Sequence, residues 1–171
     1  MDLKDTIRSI SDWPIKGVIF RDLTTLMQNP QAFKESCDIL YDRYKDMSID
    51  KIVGIDARGF VFGAVLAYKL GIGFVPVRKK GKLPWKTIQE TYSLEYGEDT
   101  LEIHEDAVEK GEKIIIVDDL IATGGTVGAT VKLVKKLGAD IIECAFIVEL
   151  PELKGRDQIQ DCKVFSITEF E

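Results

Sequence analysis

The sequence is poor in the residues that mark several classes of protein. It has one histidine and only three cysteines, Cys37, Cys144 and Cys162, which lie far apart. This usage argues against a disulfide framework or a zinc site and is typical of reduced thiols. No apolar run approaches the roughly 18 residues of a membrane span, and no apolar stretch follows the charged N-terminus as in a signal peptide. We therefore expect a cytoplasmic protein with no membrane segment.

An excess of positive charge is also missing. The chain has 23 Lys and Arg against 29 Asp and Glu, a net charge of -6. Nonspecific nucleic-acid binding depends on surplus Lys and Arg, so we expect no nucleic-acid partner. Hydrophobic residues make up 45% and charged residues 30% of the 171 positions, as in ordinary globular proteins. This length predicts one domain over residues 1–171.

Short apolar runs alternate with helix-like segments along most of the chain. Asn29 and Pro30 start an amphipathic helix, as an N-cap and a proline at the first helical position. Continuous apolar strands separated by helices indicate an α/β fold with a central, mostly parallel sheet flanked by helices. The predicted strands are residues 51–55, 73–77, 113–117, 141–150 and 164–167, and the other predicted helices are 3–10, 60–70 and 126–137.

Residues 79–104 interrupt this alternation. The segment is polar, contains Gly81, Pro84 and Gly97, and has two alternating stretches at 91–96 and 100–104. Such a pattern predicts an antiparallel hairpin that projects from the sheet. Long insertions in compact domains are usually functional, so we expect a flexible lid.

The strongest chemical signal is the stretch at residues 114–126. A buried strand leads into Asp118 and Asp119, then into a loop of small residues, then into a helix. Unpaired N–H groups and the helix dipole make a helix N-terminus suitable for a phosphate. The carboxylates can accept hydrogen bonds from sugar hydroxyls or face a magnesium ion. The candidate phosphate-binding residues are Ala122, Thr123, Gly124, Gly125 and Thr126.

The loop allows other interpretations. It could be a plain strand-to-helix turn with a solvated acidic pair. A dinucleotide fingerprint requires an acid at the end of the next strand, but Asp140 precedes that strand and Glu149 lies too far along it. A P-loop requires Gly-Lys-Ser/Thr, which does not follow.

The same stretch resembles the signature of the type I phosphoribosyltransferase family. The resemblance implies that Asp118 and Asp119 bind the ribose hydroxyls of phosphoribosyl pyrophosphate (PRPP), and that residues 122–126 bind its 5′-phosphate. It extends from about Trp13 to the C-terminus, nearly the whole chain.

Further stretches resemble the family members that act on adenine. Residues 14–22 are similar to their adenine-binding N-terminal segment, which implies that Ile19, Phe20 and Arg21 contact the base within a hood in residues 1–35. Phe20 could otherwise be ordinary core packing. Residues 147–150 resemble the segment whose aliphatic residue, here Leu150, packs on the other face of adenine.

Two basic stretches resemble the pyrophosphate site of the family. Residues 54–60 are similar to a loop that often contains a cis non-proline peptide, and residues 78–84 form a basic run in an acidic protein. A basic run alone is more commonly a solvated face. The resemblance implies pyrophosphate binding by Ala57, Arg58, Gly59, Arg78, Lys79 and Lys82.

Residues 92–97 resemble the mobile catalytic loop of the adenine-specific members. The match implies that Glu95 is the catalytic carboxylate and that Tyr96 is the aromatic residue beside it. Without the match, Glu95 would be an ordinary exposed residue of the hairpin.

The resemblance implies that adenine and PRPP are converted to AMP and pyrophosphate in purine salvage. It also implies a homodimer, and Mg²⁺ held mainly by PRPP with no direct protein ligand. Hypoxanthine-guanine members share the core but differ from this chain at Phe20-Arg21 and at residues 94–96. A DNA-binding regulator that senses PRPP needs an added N-terminal domain, whereas here the residues before strand 51–55 include the adenine segment.

Overall fold

The computed structural model describes residues 1–94 and 96–171, and within them strands and helices alternate as the apolar pattern predicts. The strands are β1 (Arg8–Ser11), β2 (Ile19–Asp22), β3 (Lys51–Ile55), β4 (Gly73–Lys79), β5 (Thr87–Leu94), β6 (Gly97–His104), β7 (Lys113–Ile121), β8 (Asp140–Glu149) and β9 (Val164–Glu169). The α-helices are α1 (Thr24–Gln28), α2 (Pro30–Tyr44), α3 (Arg58–Leu70) and α4 (Gly125–Lys136), and short 3₁₀ helices lie at Leu3–Thr6, Pro151–Leu153 and Gly155–Ile159.

Seven of the strands form one sheet in the order β5-β6-β4-β3-β7-β8-β9. The five strands from β4 to β9 in this order are parallel, and β5 and β6 form an antiparallel hairpin that joins β4 at Arg78 and Lys79. The predicted α/β class with a mostly parallel sheet is therefore confirmed. Pro76 fits within β4 because β6 does not reach that position, so only β3 pairs with β4 there.

Both faces of the sheet are covered. Along β7, Ile114 and Ile116 pack into one core layer with α4, and Ile115 and Val117 pack into the other with α2 and α3. This explains the uninterrupted apolar run, because a central parallel strand is buried on both sides. Within the described chain, no helix is long and apolar enough to cross a membrane.

Two differences from the predicted elements, at the N-terminus and in β7, have clear physical reasons. The helix predicted at 3–10 is wrong: a short 3₁₀ helix ends at Thr6, and Arg8–Ser11 pairs with Ile19–Asp22 as a two-stranded sheet. A segment this short gains little from isolated helix formation, so strand pairing prevails. Strand β7 also continues past Val117 to Ile121, because β8 runs alongside and pairs with it to its end.

Candidate active site

A cavity of about 290 Å³ opens at the carboxyl ends of β3 and β7, where ligands bind in open α/β sheets. Many of the residues singled out in the sequence meet there, although Asp118 and Asp119 lie within β7 and not after it. The lining residues are Asp56, Ala57, Arg58, Lys79, Tyr92, Leu101 and all ten residues from Asp118 to Val127.

The two carboxylates of this cavity have different surroundings. Asp119 is buried, and its Oδ2 lies 2.5 Å from Arg58 Nε. Asp118 Oδ1 accepts a hydrogen bond from the backbone N–H of Asp119 at 2.8 Å. Burial, together with the neighbouring charge of Asp119, raises the pKa of Asp118 well above its usual range. The pair therefore presents less negative charge to an anionic ligand than two free carboxylates would.

These surroundings predict opposite effects of Asp118→Asn on stability and on binding. The folded chain has the higher pKa for Asp118, so ionisation costs folded-state stability as pH rises from the usual carboxyl range through the raised pKa. Asn does not ionise, and it can still accept the bond from Asp119 N–H. We expect a higher Tm above neutral pH, by about 2–4 °C per kcal/mol relieved, but a KM for PRPP raised about 10- to 100-fold.

Asp119→Asn is the matched control. It should raise the KM for PRPP similarly but should not raise Tm, because it breaks the ion pair with Arg58. Thermal melts at several pH values and PRPP saturation kinetics separate the two variants. PRPP kinetics like those of the unsubstituted protein in both would contradict a ribose-binding role for the acidic pair.

The backbone of the loop after β7 lies close to the backbone at Gly155. Gly124 has φ +85°, and a Cβ there would lie 2.3 Å from the carbonyl oxygen of Gly155. Gly125 begins α4, whose N-cap Gly124 has no side chain to occupy the first N–H groups. These amides therefore face the cavity, where they can donate hydrogen bonds to an anion.

Tyr92 covers this loop, and sequence reasoning did not single it out. A Cβ on Gly125 would lie 2.9 Å from the Tyr92 ring, and Tyr92 Oη lies 3.3 Å from Thr126 Oγ1. Tyr92 Oη also lies 3.4 Å from Asp99 Oδ2. Asp99 in turn forms an ion pair with Lys79 at 3.5 Å. The part of the hairpin near its turn thus packs against the start of α4. Only the tertiary packing of β5 on α4 reveals this contact.

The candidate pyrophosphate residues are only partly brought together. The Asp56–Ala57 peptide is cis, and Arg58 and Gly59 begin α3. Gly59 lies so close to β7 that a Cβ would be 2.9 Å from both Asp118 Oδ1 and the carbonyl oxygen of Val117. Arg78 Nε lies 3.2 Å from Asp56. Lys79 lines the cavity, whereas Lys82 lies on an exposed turn and is not among the lining residues.

The candidate adenine residues belong to the hood and to the end of β8, outside the lining of this cavity. Trp13 packs edge-on against Phe20 with ring centroids 4.6 Å apart. The Arg21 guanidinium lies 4.2 Å from the Phe170 ring centroid. Ile19 is exposed, and the backbone N–H of Leu150 donates to the carbonyl oxygen of Ile121 at 3.0 Å.

A charged residue of the hood, Asp22, acts on Arg58 of the cavity. Burial lowers the pKa of Arg58, but the carboxylates of Asp119, Asp118 and Asp22 together raise it above its usual value. Asp22 is the last residue of β2. Strand β2 of the hood therefore ends near Arg58, which lines the cavity.

Of the two candidate catalytic residues, the structure describes Tyr96. Tyr96 is 87% exposed in the turn between β5 and β6 and does not line the cavity. Glu95 lies outside the described residues. Among the described side chains, no three of His, Cys, Asp or Glu converge as a metal site.

Comparison with known proteins identifies the family. A sequence model of the phosphoribosyl transferase domain matches residues 22–171. Adenine phosphoribosyltransferase of Desulfosudis oleivorans is 66% identical over 171 residues, covering 100% of this chain and 99% of the relative.

Solved structures agree. Adenine phosphoribosyltransferase of Thermoanaerobacter pseudethanolicus superimposes with a TM-score of 0.95 at 47% identity, over 99% of this chain and 98% of that one. The Saccharomyces cerevisiae enzyme, solved with an imino-altritol bisphosphate and adenine, has a TM-score of 0.91 at 42% identity, over 97% and 96% of the two chains. The chain belongs to the phosphoribosyltransferase family and, within it, to the adenine phosphoribosyltransferases.

Proposed function

We propose that this chain transfers the phosphoribosyl group of PRPP to adenine, releasing AMP and pyrophosphate in purine salvage. The observation that carries the proposal is that the acidic pair, the glycine loop and Arg58 line one cavity at the carboxyl ends of the strands. The 66% identical relative is named adenine phosphoribosyltransferase, and the yeast relative was solved with adenine bound; both support the same reaction.

The reaction breaks the bond between the anomeric carbon and the pyrophosphate oxygen and forms the bond to adenine N9. Positive charge develops on the sugar as in glycoside hydrolysis, and Asp118 and Asp119 would hold the sugar in place through its ribose hydroxyls. No protein nucleophile is needed. The amides at the start of α4 would hold the 5′-phosphate, while Arg58 and Lys79 would offset the charge of the leaving pyrophosphate.

Magnesium fits the site as a cation carried by the substrate. The described carboxylates do not form a three-ligand cluster, and Asp119 is already paired with Arg58. Bound to the pyrophosphate oxygens, Mg²⁺ would neutralise charge on the leaving group. The chain's own residues would then hold the sugar and the 5′-phosphate.

A cytoplasmic location and a homodimer are further parts of the proposal. All three cysteines are free thiols, as expected in a reducing compartment. Helix α3 exposes an apolar stripe at Val61, Ala64 and Tyr68, with Val61 38% and Tyr68 87% exposed. Exposed apolar stripes of this kind mark protein interfaces. A second copy of the chain is the proposed partner.

Sedimentation equilibrium tests the dimer. The chain should sediment at about twice its 19.2 kDa. Tyr68→Glu should shift it toward the monomer because it places a charge in the stripe. Met47→Glu, at another exposed apolar residue after α2, should leave the mass unchanged. A monomeric unsubstituted chain, or a Tyr68→Glu chain that remains dimeric, contradicts this interface.

The function is tested by measuring PRPP-dependent consumption of adenine, hypoxanthine, guanine and xanthine side by side. Formation of AMP from adenine supports the proposal. Turnover of another base in its place would assign the chain to a different specificity. Binding of PRPP without turnover of any base would indicate a sensor.

A further inference from the structure

Strand β8 carries two buried glutamates, each in an ion pair of nearly the same geometry with a partly exposed arginine. Glu143 accepts hydrogen bonds from Arg43 Nε at 2.5 Å and Nη2 at 2.9 Å. Six residues further, Glu149 accepts from Arg156 Nε and Nη2, both at 2.7 Å. Each glutamate side chain is 7% exposed and accepts one further hydroxyl hydrogen bond. The two pairs differ mainly in what lies beside them.

Glu149 lies at the carboxyl edge of the sheet. It is the last residue of β8, in register with Ile121 of β7 and Glu169 of β9. The next residue is Leu150, the candidate adenine contact, whose N–H donates to the carbonyl oxygen of Ile121. The hydrogen bonds from Arg156 hold the pKa of Glu149 below its usual range despite burial, so Glu149 stays ionised.

Arg156 belongs to the segment that packs against residues 122–126, the candidate 5′-phosphate site, which we call the phosphate loop. Its neighbour Gly155 is buried, and a Cβ there would lie 2.5 Å from the carbonyl oxygen of Ala122. In return, a Cβ on Gly124 would lie 2.3 Å from the carbonyl oxygen of Gly155. The two backbones touch directly, so a displacement of residue 155 moves the loop that faces the 5′-phosphate.

We propose that Arg156 is a positioning residue, which by its bidentate bond to Glu149 holds Gly155 against the phosphate loop and fixes that loop relative to Leu150. The inference rests on the proposed function, since it concerns how the protein holds the 5′-phosphate and the adenine of AMP relative to each other. Residues 150–155 otherwise make local turns, with backbone bonds from Leu153 to Leu150 and from Lys154 to Pro151. The ion pair ties the far end of these turns back to β8.

Arginine is required for this geometry. Its planar guanidinium meets both carboxylate oxygens at once and fixes orientation as well as distance, whereas the lysine ammonium is a point charge on a flexible stem. Arg156→Lys therefore keeps the charge and loses the fixed orientation. Arg156→Gln loses both.

The test compares Arg156→Gln with Arg43→Gln in the full chain. Glu143 and Glu149 are six residues apart on β8, about 20 Å along the strand, so Arg43→Gln breaks a similar pair away from the cavity. Both variants should lower Tm, because each leaves a buried carboxylate without its cation. Titration calorimetry with AMP should show binding weakened about 10- to 100-fold in Arg156→Gln, and unchanged within about twofold in Arg43→Gln.

Steady-state kinetics and hydrogen exchange give independent readouts. Arg156→Gln should raise the KM for PRPP with a smaller change in kcat, and should speed amide exchange in a peptide covering residues 122–126. Arg43→Gln should do neither. Arg156→Lys should lie between the unsubstituted protein and Arg156→Gln in AMP affinity, and it carries the test alone if Arg156→Gln does not fold.

Two results overturn the inference: AMP affinity in Arg156→Gln or Arg156→Lys equal to that of the unsubstituted protein, or equal weakening in Arg43→Gln. The comparison requires that the unsubstituted protein, prepared in the same way, makes AMP from adenine and PRPP. If that chain makes no AMP, the proposed function itself has failed.

Discussion

Adenine should be converted with a kcat/KM on the order of 10⁴-fold above that for hypoxanthine. The two bases differ at one exocyclic position, an amine in adenine and a carbonyl in hypoxanthine, which exchanges a donor for an acceptor. A site arranged to accept from the amine leaves buried polar groups unpaired when the carbonyl enters, and each unpaired group carries its desolvation cost. A hydrophobic pocket alone could not discriminate so strongly.

The hood can supply such acceptors from its backbone. Strand β2 pairs with β1 on one side, and in the described chain no strand pairs with its other edge. Backbone N–H and C=O groups alternate along β2 between β1 and this free edge, so one of the two neighbours Ile19 and Phe20 directs its groups there, as the register sets and not side-chain identity. Initial rates with both bases at several PRPP concentrations give the ratio. Comparable values for the two bases would overturn the adenine assignment and leave family membership standing.

Glu95→Gln should lower kcat by about 10²- to 10⁴-fold, the usual range for general acid–base catalysis. Adenine must lose its N9 proton as N9 bonds to the sugar, and a carboxylate near the imidazole ring can move a proton there. Gln keeps the size of Glu but does not titrate. The role of Glu95 rests on the resemblance of residues 92–97 to the family's catalytic loop.

Glu98→Gln is the control for this experiment. Glu98 is an exposed glutamate of the same hairpin, paired in register with Ser93, so it tests the effect of removing a charge from the hairpin. Its kcat should be nearly unchanged. Tm and the KM for PRPP should change little in both variants. Near-normal kcat in Glu95→Gln, measured by single turnover so that product release does not limit the rate, would remove its catalytic role.

Motifs predicted residues that line one cavity because these residues are close in sequence. Asp118, Asp119 and residues 122–126 lie on one strand, the loop that follows it and the start of α4. A strand end followed by a glycine loop and a helix N-terminus has a defined local geometry, so spacing alone places carboxylates beside unpaired amides. Lys82 lies outside the cavity lining, on an exposed turn whose Gly81 N–H donates to Glu102 at 2.6 Å, and its pyrophosphate role stays a prediction.

The sequence by itself determined the α/β class, the parallel sheet and the glycine loop between β7 and α4, since apolar runs, caps and glycines act over a few residues. Only the tertiary structure decided that β1 and β2 pair where a helix was predicted, that Tyr92 covers Gly125, and that Arg156 joins Glu149 beneath the loop. Each of these contacts depends on how separate elements pack, and neither hydrophobic periodicity nor residue type specifies which partner a side chain meets across that distance.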